Sequence, residues 1–453
     1  MVKAMQQLSS DLPDDRLTPP HAAGPFWRQT FVVLCLGACL STTTGLALGD
    51  ATVTTLNGGA VGAEILKSVG LFGTSDLGSG VTLKLGVLVD QGSLASGADT
   101  LSLNGAKLAV AQIKAAGGPD IQLIVETTKS TDDRTVTHAL DDLAAVGAPV
   151  VLTGGVGDTP QMLDGLARNT MLGLDGEGRV SSASRGKDLL WTLRAQQPDD
   201  DFSGAVQYLA TFTPSIKKVS LVYRDKGATA NDATLASFAE ALKFEGMTLA
   251  SAGLVPLTGS DYSVILGRLK LAQPDAVFVD ETGADLNQFI HQFRAAQPGL
   301  TLIGGDYPPG AGRGATGDFE NYVFATDWFD AAHPGNNWAA LFVRTYQTAY
   351  GQPPETFAAN AYEDTFAIWA LLRHLTAKGK ALKTGLDLQS ELVANHGLKS
   401  LYGGDGAELD DIQLDTKAHR VVERPFGVFR VNGGKVSQLA RFDLGGANFE
   451  LLP

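Results

Sequence analysis

From Val81 onward, short runs of β-branched and aliphatic residues alternate with longer amphipathic stretches. VTLKLGVLV (Val81–Val89) predicts a strand. NGAKLAVAQIKAAGG (Asn104–Gly118) predicts a helix, because its apolar residues recur at helical spacing up to a Gly-Gly stop. Strand patterns return at Ile121–Thr127, Ala148–Gly155, Lys217–Tyr223, Asp275–Asp280 and Leu300–Asp306, with a helix over Arg134–Val146 and helices between the later strands. Strands separated by helices of about ten to fifteen residues imply parallel sheets covered on both faces. Such sheets take ligands beyond the carboxyl ends of their strands, so the loops that follow the strands are where a site is expected.

The alternation pauses at LRAQQPDDD (Leu193–Asp201) and again at FATDWFDAAHPG (Phe324–Gly335). The simplest organisation is a first lobe, a second lobe between the pauses, and a return to the first. Further on, Ile412–Arg420 and Phe426–Lys435 read as strands. The latter ends in an Asn-Gly-Gly turn signal, which predicts antiparallel pairing at that end of the chain.

Before the first strand the pattern is different. FVVLCLGACL (Phe31–Leu40) is too short to span a bilayer, which needs about 20 apolar residues, but it suits the apolar region of an export signal. Leu36-Gly37-Ala38-Cys39 resembles the lipobox of bacterial lipoproteins, which implies a lipid on Cys39 and a signal peptide over residues 1–39. A secretory signal cut after Ala47-Leu48-Gly49 is the alternative, and Asp11, Asp14 and Asp15 depart from a compact basic leader. Residues 40–80 are rich in Thr, Gly and Ser, the composition of a flexible tether.

Composition narrows the class. With 44% hydrophobic and 19% charged residues, the 453-residue chain is an ordinary globular one. A formal charge of −14 argues against a nucleic-acid partner, since phosphate binding needs clustered Lys and Arg. Cys35 and Cys39 are the only cysteines, so the body has no disulfide, cysteine nucleophile or thiolate zinc site. The histidines are scattered without a ligand-spaced pair, and neither a GxSxG elbow nor a Walker lysine is present. No catalytic residue, metal or cofactor is expected.

Several stretches resemble the type I periplasmic solute-binding proteins of ABC importers, in the leucine/isoleucine/valine-binding branch. They are the opening strand with DQGSLASGAD and the helix after it, VSLVYRDKGATANDATLASFAEALKFEGM, and DYSVILGRLKLAQPDAVFVDETGADLNQFIHQFRAAQPG. The fullest is WAALFVRTYQTAYGQPPETFAANAYEDTFAIWALLRHL (Trp338–Leu375), with a YGxxP turn and a small-residue helix carrying an AY-D pair. The resemblance runs over roughly Val81–Arg441. It implies an α/β fold of two lobes, each a mainly parallel sheet flanked by helices, joined by a three-crossing hinge. Lobe 1 would comprise 81–198 and 330–420, and lobe 2 199–329 and 421–453. The implied function is extracytoplasmic capture of a small polar ligand, an amino acid or related compound, for an ABC importer permease at the membrane. Relatives that use this fold to bind a protein, such as penicillin-binding-protein activators, supply the alternative.

In the amino-acid binders of that family, first-lobe loops hold the carboxylate and a second-lobe acid takes the ammonium. The loop TGGVGDTPQ (Thr153–Gln161) offers Thr159 and, where the family often has serines, Asp158. Asp158 repels a carboxylate, or it caps the next helix. LDGEGRVSSAS (Leu174–Ser184) offers Ser181 or Ser182. Asp306 in GGDYPP stands where the family's ammonium-binding acid follows its strand; a turn role is the alternative. Tyr307 is expected to pack on an apolar part of the ligand or on Pro308. The loops RDKGATAND and DETGAD carry no aromatic residue, so a polar cleft is expected.

Overall fold

The computed structural model describes residues 58–71, 73–91, 97–129, 132–156, 159–177, 189–194, 198–225, 227–256, 261–308, 317–394, 398–403, 411–421, 424, 426–442 and 448–452. The proposed signal and Cys39 lie outside these residues.

The chain opens with α1 (Gly58–Ser68), β1 (Thr82–Asp90), α2 (Ala98–Ala115), β2 (Asp120–Thr128), α3 (Asp133–Ala145), β3 (Val150–Leu152), α4 (Pro160–Asn169), β4 (Leu172–Asp175) and β5 (Leu190–Thr192). A second series follows: α5 (Pro198–Ala210), β6 (Lys218–Arg224), α6 (Ala228–Phe244), β7 (Thr248–Val255), α7 (Ser263–Ala272), β8 (Ala276–Asp280), α8 (Gly283–Ala296), β9 (Thr301–Gly304) and β10 (Val323–Asp327). The chain then forms α9 (Asn337–Tyr350), α10 (Thr356–Ala377), α11 (Gly385–Ala394), β11 (Leu414–Asp415), β12 (Arg420–Val421), β13 (Phe426–Asn432), β14 (Lys435–Phe442) and β15 (Glu450–Leu451).

Two sheets result, ordered β11-β12-β5-β4-β3-β1-β2 and β15-β14-β13-β10-β9-β8-β6-β7. Within the first, β1 to β5 pair in parallel; within the second, β6 to β10 do. β8 is buried at every position, as a strand covered on both faces must be. The chain passes between the sheets after β5, after β10 and after β12, so the molecule is a bilobed type I periplasmic-binding-protein fold. The expected antiparallel end is present: β13 and β14 form a hairpin pairing Asn432 with Lys435. Gly433 and Gly434 have φ of 58° and 70°, the left-handed conformation that a two-residue turn of this kind demands.

Helix α10 is buried nearly all round, which marks a core helix. It crosses α2 so closely that a Cβ on Gly105 would lie 2.1 Å from the Ala358 carbonyl oxygen, so only glycine fits. Within the stretch whose composition suggests a tether, α1 is instead a helix with Ile65 buried in the core, as is Val69 just after it. Glu64 on its outer face pairs with Arg344 of α9 at 2.6 Å. Its ordering comes from this tertiary burial, which weak local periodicity does not reveal.

Candidate functional site

The carboxyl ends of the two sheets carry a concentration of buried charge. After β5, Arg194 is 1% exposed and donates to Asp327 Oδ1 from Nε (3.1 Å) and Nη2 (2.7 Å), to Thr326 Oγ1 (3.0 Å) and to the Glu177 carbonyl oxygen (2.7 Å). Asp306 Oδ1 lies 3.6 Å away. Burial works against the charge of Arg194, but Asp327 and Asp306 outweigh it, and the guanidinium is held ionised. On the third crossing, Arg424 donates to the Leu193 carbonyl from Nε (2.9 Å) and Nη2 (2.5 Å), pairs with Glu363 of α10, and lies 4.1 Å over the Tyr402 ring. Arg194 and Arg424 thus tie the three crossings to one another.

In the second lobe, Arg224 at the end of β6 donates to Glu281 Oε2 from Nε (3.0 Å) and Nη2 (2.9 Å), and Asp285 Oδ2 lies 2.9 Å from Nη2. Burial pushes Glu281 up to about 7, beyond what Arg224 recovers. Asp285 is also raised, chiefly by burial, with Arg224 opposing and Asp90 at the end of β1 adding to it. Between about pH 4.5 and 7 the folded chain keeps a proton on Glu281 that the unfolded chain has lost. Stability therefore falls as pH rises through that window, by about 3 kcal/mol at ~1.4 kcal/mol per pH unit. Glu281→Gln is expected to flatten this slope in urea-unfolding midpoints measured from pH 5 to pH 8; an unaltered slope would assign the dependence elsewhere.

In the first lobe, Asp99 and Ser102 of α2, Glu177 after β4 and Asp364 of α10 line one crevice with Leu152 and Gly154. Ser102 Oγ donates to Glu177 Oε1, and Asp99 Oδ2 accepts the Asp90 N–H. Burial raises Glu177 well above the usual carboxylate range, with Asp99 and Asp175 adding to it against the Ser102 hydrogen bond. Burial and Glu363 do the same to Asp364, with Arg424 opposing. Gly154 belongs here by necessity: its φ is 55°, and a Cβ would stand 2.6 Å from the Leu88 carbonyl oxygen.

Of the residues expected to meet a ligand, Thr159 is the N-cap of α4, its hydroxyl accepting the Met162 N–H at 3.2 Å. The capping role considered for Asp158 is therefore filled by its neighbour. Asp158, Ser181 and Ser182 lie outside the described residues. Asp306 is 2% exposed, accepts the Tyr307 N–H at 2.9 Å and faces Arg194. Tyr307 is 1% exposed, with its ring 4.7 Å from Trp328 and its hydroxyl donating to Glu355 Oε2 at 2.6 Å. Sequence reasoning passed over Asp99, Glu177, Arg194, Arg224 and Glu281. The AY-D pair did contain Asp364, and the LRAQQPDDD pause contained Arg194.

A family model described as periplasmic binding protein matches residues 82–435. The chain belongs to that family. It is therefore a binding protein of the periplasmic type. Solved periplasmic binding proteins share its fold. A solute-binding protein from R. palustris in complex with benzoate superposes with a TM-score of 0.65 at 17% identity, over 81% of this chain and 97% of that one. The branched-chain amino acid transporter substrate-binding protein LivJ from Streptococcus pneumoniae, in complex with isoleucine, gives 0.62 at 19%, over 82% and 99%. A solute-binding protein from Rhodopseudomonas palustris BisB5, in complex with 3,4-dihydroxybenzoic acid, gives 0.62 at 21%, over 80% and 98%.

Proposed function

We propose that this periplasmic binding protein captures a small polar solute, an amino acid or related compound, between its lobes and presents it to an importer permease. The carrying observation is the buried charge at the strand ends of both lobes, with Arg194 after β5 3.6 Å from Asp306 after β9 and no aromatic residue in the RDKGATAND and DETGAD loops. Closure around a solute buries such groups, so the loaded shape differs from the empty one. Mass spectrometry of small molecules released from purified, denatured protein identifies the solute. X-ray scattering with that solute is expected to show compaction, and an unchanged profile at saturation would sink the reading.

Asp306 enters this reading through Arg194. Asp306→Asn keeps an oxygen for the Tyr307 N–H and leaves Arg194 its bonds to Asp327, so the expected result is a stability loss of about 1–3 kcal/mol. A thirtyfold loss of solute affinity at unchanged melting temperature would instead assign Asp306 to a solute cation. Tethering belongs to the same proposal: Cys39 carries a lipid, and intact-mass measurement of membrane-extracted protein is expected to show the acyl mass, whereas a mature form starting near Asp50 would overturn it.

A further inference from the structure

We infer that Arg194, Asn360 and Tyr402 are positioning residues for solute capture: they clamp the loop after β4 to the hinge, so that the shape of this loop follows the angle between the lobes. The inference rests on the solute-capture reading and deepens it.

The loop comes first. β4 ends at Asp175, and Gly176 and Glu177 continue it past the carboxyl edge of the first sheet, where parallel sheets take their ligands. Its three successive carbonyls are all engaged on the hinge side. The Asp175 oxygen accepts the Thr192 hydroxyl at 3.0 Å and the Leu193 N–H at 3.3 Å. The Gly176 oxygen accepts from Asn360 Nδ2 of α10, and the Glu177 oxygen from Arg194 Nη1 at 2.7 Å. The backbone lies flush on α10: a Cβ on Gly176 would stand 2.6 Å from Asp364 Oδ2 and 3.0 Å from the Asn360 Cβ.

Each anchor is in turn held by another part of the hinge. Asn360 Oδ1 accepts the Tyr402 hydroxyl, and the guanidinium of Arg424, on the third crossing, lies 4.1 Å over the Tyr402 ring. Both ends of the Asn360 amide are thus engaged, which fixes the end that meets Gly176. Arg194 gives Nη1 to the loop, and Nε and Nη2 to Asp327 and Thr326 at the end of β10 in the second sheet.

A planar, rigid guanidinium cannot shift at one corner without moving the others. Rotation of the lobes displaces β10 against β4, and a hydrogen bond weakens steeply as it bends and lengthens. The loop is therefore held in one lobe arrangement and loosened in another. Arg194, Asn360 and Tyr402 are all buried, so water offers no ready replacement for a broken bond. A solute that seats against the clamped loop accordingly favours the lobe arrangement that clamps it.

The test is hydrogen exchange, read by mass spectrometry, on the full chain carrying Tyr402→Phe or Arg194→Lys. The first removes one hydroxyl and keeps the ring under Arg424. The second keeps a charge beside Asp327 but loses the fork that reaches both sheets. Thr345→Val is the control, since it removes a buried hydroxyl from the Gln112 contact between α2 and α9. Amides of Leu172–Glu177 are expected to exchange about fivefold faster in Tyr402→Phe and Arg194→Lys than in the wild type or the control. The small-molecule extract released from denatured wild-type protein should bind those two variants about fivefold more weakly, and the control as the wild type does. Unaltered loop exchange in both variants, equal acceleration in the control, or wild-type affinity in both variants would overturn the inference. The exchange measurement needs no solute, so its failure removes the clamp and leaves solute capture standing. Scattering that shows no compaction at saturation removes solute capture and leaves the exchange result intact.

Discussion

Arg194→Met is expected to destabilise the protein by about 3–5 kcal/mol, the cost of removing one partner from a buried ion pair. The guanidinium is 1% exposed and is the shared partner of Asp327, Thr326 and the Glu177 carbonyl, with Asp306 at 3.6 Å. Methionine fills much of the volume but satisfies none of these acceptors. It leaves Asp306 and Asp327 as neighbouring buried carboxylates without the cation between them. Urea unfolding at pH 7 reads the loss as a lower midpoint. A change below about 1 kcal/mol would show that the hinge does not depend on this charge.

Arg424→Met is expected to cost a similar amount, about 3–5 kcal/mol, for a related reason. Its guanidinium bridges the Leu193 carbonyl of the first crossing and Glu363 of α10, and it covers the Tyr402 ring. Glu363 Oε1 also accepts the Leu401 N–H at 2.5 Å, so the glutamate cannot turn away when the arginine is lost. The double variant Arg424→Met/Glu363→Gln therefore separates charge from packing. Glutamine keeps an oxygen for Leu401 and carries no charge, so about half or more of the loss should return. Failure to recover would place the effect in the Leu193 contact and the Tyr402 ring. Because Leu193 adjoins Arg194, the two arginine variants should not be additive.

Both variants probe interactions that join residues far apart in the chain, and the same feature separates what was legible in the sequence from what was not. The strand read as Lys217–Tyr223 forms as Lys218–Arg224, and Asp275–Asp280 as Ala276–Asp280, because uninterrupted apolar runs between helices have few other places to go. The Asn-Gly-Gly signal produced its hairpin, since positive φ at two successive positions is a local property of glycine. Helix α1 escaped notice: Gly and Ala dominate its first turns, and only contact with α2 and α9 makes Ile65 and Glu64 structural.

The sequence by itself determined the alternation of strands and helices, the parallel sheets and hence the loops where a site belongs. These follow from periodicities of two and 3.6 residues, which are properties of neighbouring positions. Tertiary structure decided which charges matter. Asp306 looks like any Asp after a strand until β10 and the first crossing bring Asp327 and Arg194 beside it. Glu177 and Asp364 are unremarkable acids until α10 meets the loop after β4, where Asn360 donates to the Gly176 carbonyl and both acids are buried. A carboxylate's pairing and proton affinity depend on distance and burial in three dimensions, and neither quantity is written in residue order.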